Sequence, residues 1–455
     1  MFDTVLIANR GEIAMRVART CRELGIRVAA VYSTEDRDSP VVRFADQAVC
    51  IGPGPARHSY LYLPAIMEAA RQTGADAVHP GYGFLSEQAD FAEACEAEGL
   101  VFVGPPPAVI DRLGDKSTAR AAMADAGLPL LPGTIEPVSD AEAVAKVAAD
   151  IGYPVIVKAV AGGGGRGMQV VTEPDDLPRQ YREIRSTAQS LFGDDRVYVE
   201  RYLPAARHIE VQVLCDSHGN GLHLGQRDCS VQRRRQKIIE EAPAPGLPRG
   251  LVEQMGHAAV RGLLAAGYVG AGTVEFLVDD QHRFYFMEVN CRIQVEHPVT
   301  ELTHGVDLVR EQLRIAAGEP LDVSQEELKA RGWAIECRIN AEDPDRDFMP
   351  TPGRLTGLAL PGGPFVRVDT AAVAGGRISA AYDPLLAKIC VWAPDRPQAI
   401  ARMRRALAEL SVEGPGVRTN RDFLLTALKH EQFVAGTHDT SLVGRLTDPQ
   451  TREES

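Results

Sequence analysis

The sequence contains no run of roughly 18 or more apolar residues, so it offers no candidate membrane-spanning helix. The first ten residues lack the basic flank, apolar stretch and cleavage site of a signal peptide. The cytosol is therefore the expected location, with no membrane partner. The eight cysteines form no C-x-x-C pair, which argues against a zinc site or a thioredoxin-like motif. Scattered this way, they are expected to be reduced core residues. There is no excess of positive charge either. A formal net charge of −13 opposes a nucleic-acid backbone, and no nucleic-acid partner is expected. H-E-x-x-H is absent, which disfavours a zinc hydrolase. Gly114-Asp115-Lys116-Ser117 lacks the Gly-Lys adjacency and upstream glycine of a Walker A loop. There is no internal repeat and no long low-complexity tract.

What is present is a 455-residue chain, 45% apolar and 24% charged, which suits a globular protein of two to four domains. Its first 110 residues alternate short apolar runs with helical stretches. Val5–Ala8, Val28–Tyr32, Ala77–His79 and Leu100–Val103 read as strands. Ile13, Arg16, Val17, Thr20, Cys21 and Leu24 share a helical face that Gly25 ends. This β-α-β rhythm predicts an α/β fold opening on a doubly wound parallel sheet. The prolines after Gly104 mark a break. A second segment runs over 111–330, with a sub-domain at about 130–203 between Pro129 and Pro204. A third covers 331–446, with a helix near 397–410, and 447–455 is a tail.

Gly162, Gly164 and Gly167 satisfy G-x-G-x-x-G, but a dinucleotide loop must open a helix. Here Met168-Gln169-Val170-Val171 continues as a strand. Strand, glycine loop and strand make a flap whose backbone N–H groups can cover phosphates. Lys158 ends the strand before the loop, where an ammonium would meet phosphate oxygens. The basic run Arg233, Arg234, Arg235 and Lys237 reads as a small-anion site.

Thr273–Val278 and Arg283–Asn290 read as a hairpin. A four-residue loop pairs 278 with 283, so Glu275 lies diagonal to Glu288 on one face, with Asn290 beyond. Two carboxylates that converge require a cation between them, and Mg²⁺ with nucleotide phosphates suits one or two carboxylates. An odd loop would turn Glu275 to the other face. Arg292 and Glu296 follow at once, and a carboxylate near a metal and an anion is a candidate base. His297, before a proline, reads as structural. In the strand near 333–340, Glu336, Arg338 and Asn340 share the polar face.

Long motifs now carry a resemblance. They are Ile7–Ala14, His79–Glu87, Gly163–Met168, Glu241–Pro245, Arg292–Glu301, Glu336–Glu342 and Tyr382-Asp383-Pro384. Over residues 1 to about 445 the chain resembles the biotin carboxylases. The resemblance implies an ATP-grasp fold with an N-terminal parallel-sheet domain and a C-terminal β-rich domain. It implies ATP binding by Lys116, Lys158, Gly163, Gly164, Gly165, Gly167, Met168, Glu200, Arg201, Tyr202, Leu203, His208, Gln232, Arg235, Glu275 and Glu288. Glu275, Glu288 and Asn290 would hold Mg²⁺ or Mn²⁺, and Lys237, Arg292, Gln294 and Val295 would bind bicarbonate. Glu296 would be the base, Arg338 would meet the biotin ureido oxygen, and Tyr82 would lie near biotin.

Two positions depart from the family pattern: Arg235 stands where histidine is usual, and Cys291 where threonine is common. The chain has no Ala-Met-Lys-Met-like biotinylation motif. A biotin carboxyl carrier protein and a carboxyltransferase are therefore expected as separate partners, with a homodimer as the family's common state. Two rival readings are another ATP-grasp carboxylate–amine ligase and a non-catalytic nucleotide-binding subunit.

Overall fold

The computed structural model describes residues 1–134, 136–138, 140–160 and 167–448. The N-terminal sheet is parallel. Its strands are β1 (Thr4–Ile7), β2 (Arg27–Ser33), β3 (Gln47–Gly52), β4 (Ala77–His79) and β5 (Val101–Phe102), in the order β3-β2-β1-β4-β5. Helices cover it on both sides, so β1 is apolar at nearly every position and wholly buried. Helix α1 (Gly11–Glu23) follows β1 and ends where Gly25 takes φ +74°, the left-handed conformation that glycine accepts without strain. The sequence pattern missed β3, which is half exposed at the sheet edge and lacks a clear apolar run.

A second, three-stranded antiparallel sheet consists of β6 (Val155–Ala159), β7 (Met168–Val171) and β8 (Val197–Arg201), in the order β7-β6-β8. It has its own core, in which Val155, Val157, Val171 and Val199 pack against Val144, Tyr181 and Ile184 of two helices. A unit with a separate core can move as a body relative to the rest.

The largest sheet has eight strands. It contains β9 (Arg207–Cys215), β10 (Gly221–Arg233), β11 (Gln236–Ala242), β12 (Gly270–Val278), β13 (Phe284–Asn290) and β14 (Trp333–Asn340). Strands Leu385–Ala393 and Val366–Thr370 complete it beyond β14. The order β13-β12-β9-β10-β11-β14 runs across the expected boundary near 330, because β11 pairs with β14. The third segment thus extends the sheet of the second.

The hairpin β12–β13 departs from the expected register. Val278 pairs with Phe284 around a five-residue loop, not with Arg283. A β-bulge between Glu275 and Phe276 then absorbs one residue, so that Glu275 pairs directly with Glu288. An odd loop alone would have separated the two carboxylates. The bulge restores them to one face.

Candidate active site

The site lies where β9–β13 meet β14 and the loop 291–296. Its centre is Lys237, whose Nζ donates to Glu210 Oε2 (2.6 Å), Glu275 Oε1 (2.9 Å) and Glu296 Oε1 (2.7 Å). Burial would disfavour its charge, but the three carboxylates hold the ammonium well above its ordinary pKa. Only Lys237 of the basic run serves this centre. Arg233 and Arg234 reach out to Asp347, so the run as a whole is not one anion site. Arg234 and Arg235 form the two-residue turn between β10 and β11, both with positive φ. Residues with a Cβ pay a steric cost in that turn.

Glu296 lies between two cations: Lys237 on Oε1, and Arg338 Nη2 on Oε2 at 3.0 Å. Burial opposes its charge, yet Lys237 and Arg338 push its pKa down, so it is a carboxylate at neutral pH. Arg338 is not the ordinary surface arginine that a polar strand face suggests. Its Nε also donates to Glu240 Oε1 at 2.6 Å, and its side chain is largely buried. Alternation along β14 explains this: Ile335, Cys337 and Ile339 enter the core, and Glu336 and Arg338 point the other way.

Arg292 Nε donates to Glu87 Oε2 (2.8 Å) and its Nη2 to Asn290 Oδ1 (2.9 Å). Gln294 Nε2 donates to Glu275 Oε1 (2.7 Å), and its oxygen accepts from Arg227 (2.8 Å). Arg227, fully buried, thereby fixes the amide so that its N–H₂ faces the site. The Val295 carbonyl accepts from Lys388 Nζ at 2.8 Å. His297, buried, bonds the Gln294 carbonyl through Nδ1 and is structural as expected.

The carboxylates pair as the corrected register requires, and their surroundings differ. Glu275 is buried and accepts from Lys237, Asn290 and Gln294, with His208 Nε2 at 2.7 Å. Burial raises its pKa, but Lys237 and His208 outweigh that and pull it well down. Glu288 is over a third exposed and has Lys116 Nζ at 3.3 Å. Two facing carboxylates, one of them open, suit a hard divalent cation that keeps sites for phosphate and water. Asn290 turns its N–H₂ to Glu275 and its oxygen to Arg292, so it could bind a metal only after its amide turns over.

A second cationic group lies beside the three-stranded sheet. Lys158 and Arg120 both bond the buried carboxylate of Glu200. Burial, with the charges of Lys116, Arg120 and Arg235, pushes Lys158 down to about 7. Cations crowded this closely invite an anion. Gly167 precedes β7 and Met168 begins it, opposite Lys158, while Gly163, Gly164 and Gly165 lie outside the described residues. Gln232 bonds His208 Nδ1 at 2.7 Å. Arg201 turns its side chain outward to the Ile151 carbonyl. Tyr202 donates its backbone N–H to Pro154, and Leu203 is half-buried. Tyr82 donates its hydroxyl to Glu12, which also pairs with Lys388 at 3.0 Å.

Sequence reasoning gave no role to Glu210, Arg227, Glu240, Lys388, Glu12 or Glu87. Glu12 and Glu87 sit inside quoted motifs, so the signal was present without an assignment. Glu210 and Arg227 share the polar face of paired strands, where a sequence offers no register.

Family models match the chain in three consecutive pieces. They are the biotin carboxylase N-terminal domain over residues 1–110, the carbamoyl-phosphate synthase L chain ATP-binding domain over 115–324, and the biotin carboxylase C-terminal domain over 336–445. Biotin carboxylase 1 of Bacillus subtilis is 50% identical over 97% of this chain and 98% of its own. The chain belongs to the biotin carboxylase family. It is thus an enzyme, a ligase with an ATP-grasp fold between an N-terminal parallel-sheet region and a C-terminal β-rich region. The biotin carboxylase of Campylobacter jejuni, solved as a β-γ-ATP complex, superposes with a TM-score of 0.95 at 45% identity, covering 98% of this chain and 99% of that one. The biotin carboxylase domain dimer of Hydrogenobacter thermophilus 2-oxoglutarate carboxylase was solved with MgADP, ADP and bicarbonate. It has a TM-score of 0.95 at 44% identity, with 98% and 99% covered.

Proposed function

We propose that this biotin carboxylase uses ATP and bicarbonate to carboxylate biotin carried on a separate carrier protein, by way of carboxyphosphate. The observation that carries the reading is Glu296, an ionised carboxylate fixed between Lys237 and Arg338. Bicarbonate, entering beside Lys237, Arg292, Gln294 and Val295, would compete for those cations. Glu296 would then take its proton, and the freed carbonate oxygen attacks the γ-phosphorus of ATP as ADP leaves. Glu275 and Glu288, and Asn290 once its amide has turned, are the residues suited to hold Mg²⁺ or Mn²⁺, which would neutralise phosphate charge. In this reading Lys116, Lys158, Met168, Glu200, His208, Gln232 and Arg235 would face the nucleotide, together with Tyr202, Leu203 and the backbone of Arg201. Carboxyphosphate breaks to CO₂ and phosphate, and the phosphate accepts the biotin N1′ proton. Arg338 stabilises the negative charge on the ureido oxygen, beside Tyr82. Closure of the three-stranded unit would exclude water from the carboxyphosphate.

The partners in this reading are a biotinylated carrier, a carboxyltransferase and a second copy of the chain, meeting in the cytosol. Among the described residues no helix is long and apolar enough to cross a membrane. A dimer is supported by the Hydrogenobacter relative, whose domain was solved as one. Acetyl-CoA is the proposed final acceptor. That same relative, part of a 2-oxoglutarate carboxylase, makes the acceptor a question for a screen with the purified carrier and transferase.

The test of the reaction is ADP release by the purified chain. It should need bicarbonate and rise with added free biotin. Glu288→Lys should abolish it. Bicarbonate-independent release, or turnover by the variant near the unmutated level, would remove the metal and base assignments.

A further inference from the structure

Glu240 occupies a place that strand alternation would deny it. Alternation along β11 puts Lys237 and Glu240 on opposite faces. The register of β10 with β11 pairs Gln232 with Lys237 but Val231 with Ile239, so Ile238 is an extra, bulged residue. Ile238 and Ile239 consequently both enter the same core. Glu240 is returned to the face of Lys237, fully buried, directly behind Arg338. A bulge that re-aims a side chain beside an active site is a structural device worth a functional question.

Arg338 is held at two points. Its Nε end is fixed by Glu240 Oε1 at 2.6 Å, and its Nη2 end reaches Glu296 Oε2 at 3.0 Å. An arginine anchored through Nε has its fork direction set. Among the described residues, the second oxygen of Glu240 is buried without a hydrogen-bond partner, as is Oε1 of Glu336. These two residues are direct partners across β11 and β14. Cross-strand partners stand roughly 5 Å apart at Cβ, within mutual reach of two glutamates. One proton between the two carboxyls would satisfy both orphaned oxygens.

Resting on the biotin carboxylase reading, we propose that Glu240 is a positioning residue for Arg338. It aims the guanidinium at Glu296 and the biotin oxygen, and is itself held by a proton shared with Glu336. Burial and the Glu296 carboxylate favour that shared proton, while the cations Arg338 and Lys237 oppose it. Arg338, Glu336 and Cys337 approach from β14, Cys229 from β10, Glu296 from the loop 291–296, and Lys237 from its own strand. Burial, with the Glu296 carboxylate beside it, raises Glu240 to about 7 against the pull of Arg338 and Lys237.

The test compares Glu240→Gln and Glu240→Ala in the full chain, with Glu240→Met in place of alanine if that variant does not fold. Glutamine keeps an oxygen for Arg338 Nε and a donor for Glu336, and removes the ionisation. It should retain kcat for biotin carboxylation within about threefold. Alanine should lower kcat roughly tenfold to a hundredfold while KM for ATP stays within about twofold. A crystal structure of the alanine or methionine variant should show Arg338 displaced from Glu296. Arg338 unmoved, or glutamine as damaging as alanine, overturns the proposal. Absence of bicarbonate-dependent turnover in the unmutated chain would instead overturn the reaction assignment, and the Arg338 displacement would still decide the positioning role.

Discussion

Lys237 shows how one side chain can hold a site together. Glu210, Glu275 and Glu296 converge on a single ammonium, and none of the three is exposed. Removing one partner of a buried ionic group costs about 3–5 kcal/mol, because the remaining charges lose their compensation. Lys237→Met should therefore lower the melting temperature as well as abolish turnover. Glu296 should also lose much of what keeps its pKa down and bind a proton closer to neutral pH. Thermal unfolding and ADP release measure the two effects. An active variant with an unchanged melting temperature would mean that the carboxylates separate without the lysine. Much of this cluster was legible as residue types: Lys237, Glu275, Glu288, Arg292 and Glu296 stood out for their chemistry. The partners that orient them did not. Glu210, Arg227 and Glu240 are ordinary strand residues until pairing brings them behind the site.

At the scale of elements, β-bulges account for most of what the sequence concealed. A bulge adds one residue without a marked change in composition, so reading strands by alternation passes over it. In β12–β13 the expected even loop and the actual odd loop differ by one residue, and the bulge cancels that difference. The conclusion that Glu275 and Glu288 share a face holds, although the register behind it did not. The strands expected on both sides of the glycine loop are present as β6 and β7, whereas the flap itself, residues 161–166, lies outside the described residues. Gly167, just before β7, has φ +71°, and a Cβ there would stand 3.0 Å from Ala159 Cβ and 3.1 Å from the Phe192 ring. Gly167→Ala should thus cost about 1–2 kcal/mol within the three-stranded unit. Because that unit has its own core, the damage should appear as a several-fold higher KM for ATP. The melting transition of the rest should hardly move. A steady-state ATP titration beside a thermal melt would test this, and an unchanged KM would count against a flap over the nucleotide.

Across the whole molecule, the N-terminal parallel sheet could be read from periodicity apart from its edge strand β3. The continuity of the eight-stranded sheet across residue 330 could not, because long-range strand pairing leaves no local signal. The C-terminal end illustrates the consequence. His438 is buried against two strands of the central sheet, with Nε2 3.5 Å from Asp228 and 3.6 Å from Glu241. Arg207 also pairs with Asp228, and Arg396 with Glu241. Burial lowers the pKa of His438, but the two carboxylates, Asp228 first, raise it above the ordinary histidine value. A histidine with a raised folded pKa stabilises the fold fully below its unfolded value, about 6.5. That contribution is lost as pH rises through the folded value. His438→Gln should accordingly lower the melting temperature most near pH 6, by about 2–4 °C. The gap to the unmutated chain should narrow steadily toward pH 9. Melting curves across that range test the sign. A gap that widens with pH would mean that His438 is neutral in the folded protein and that its packing alone secures the C-terminal segment.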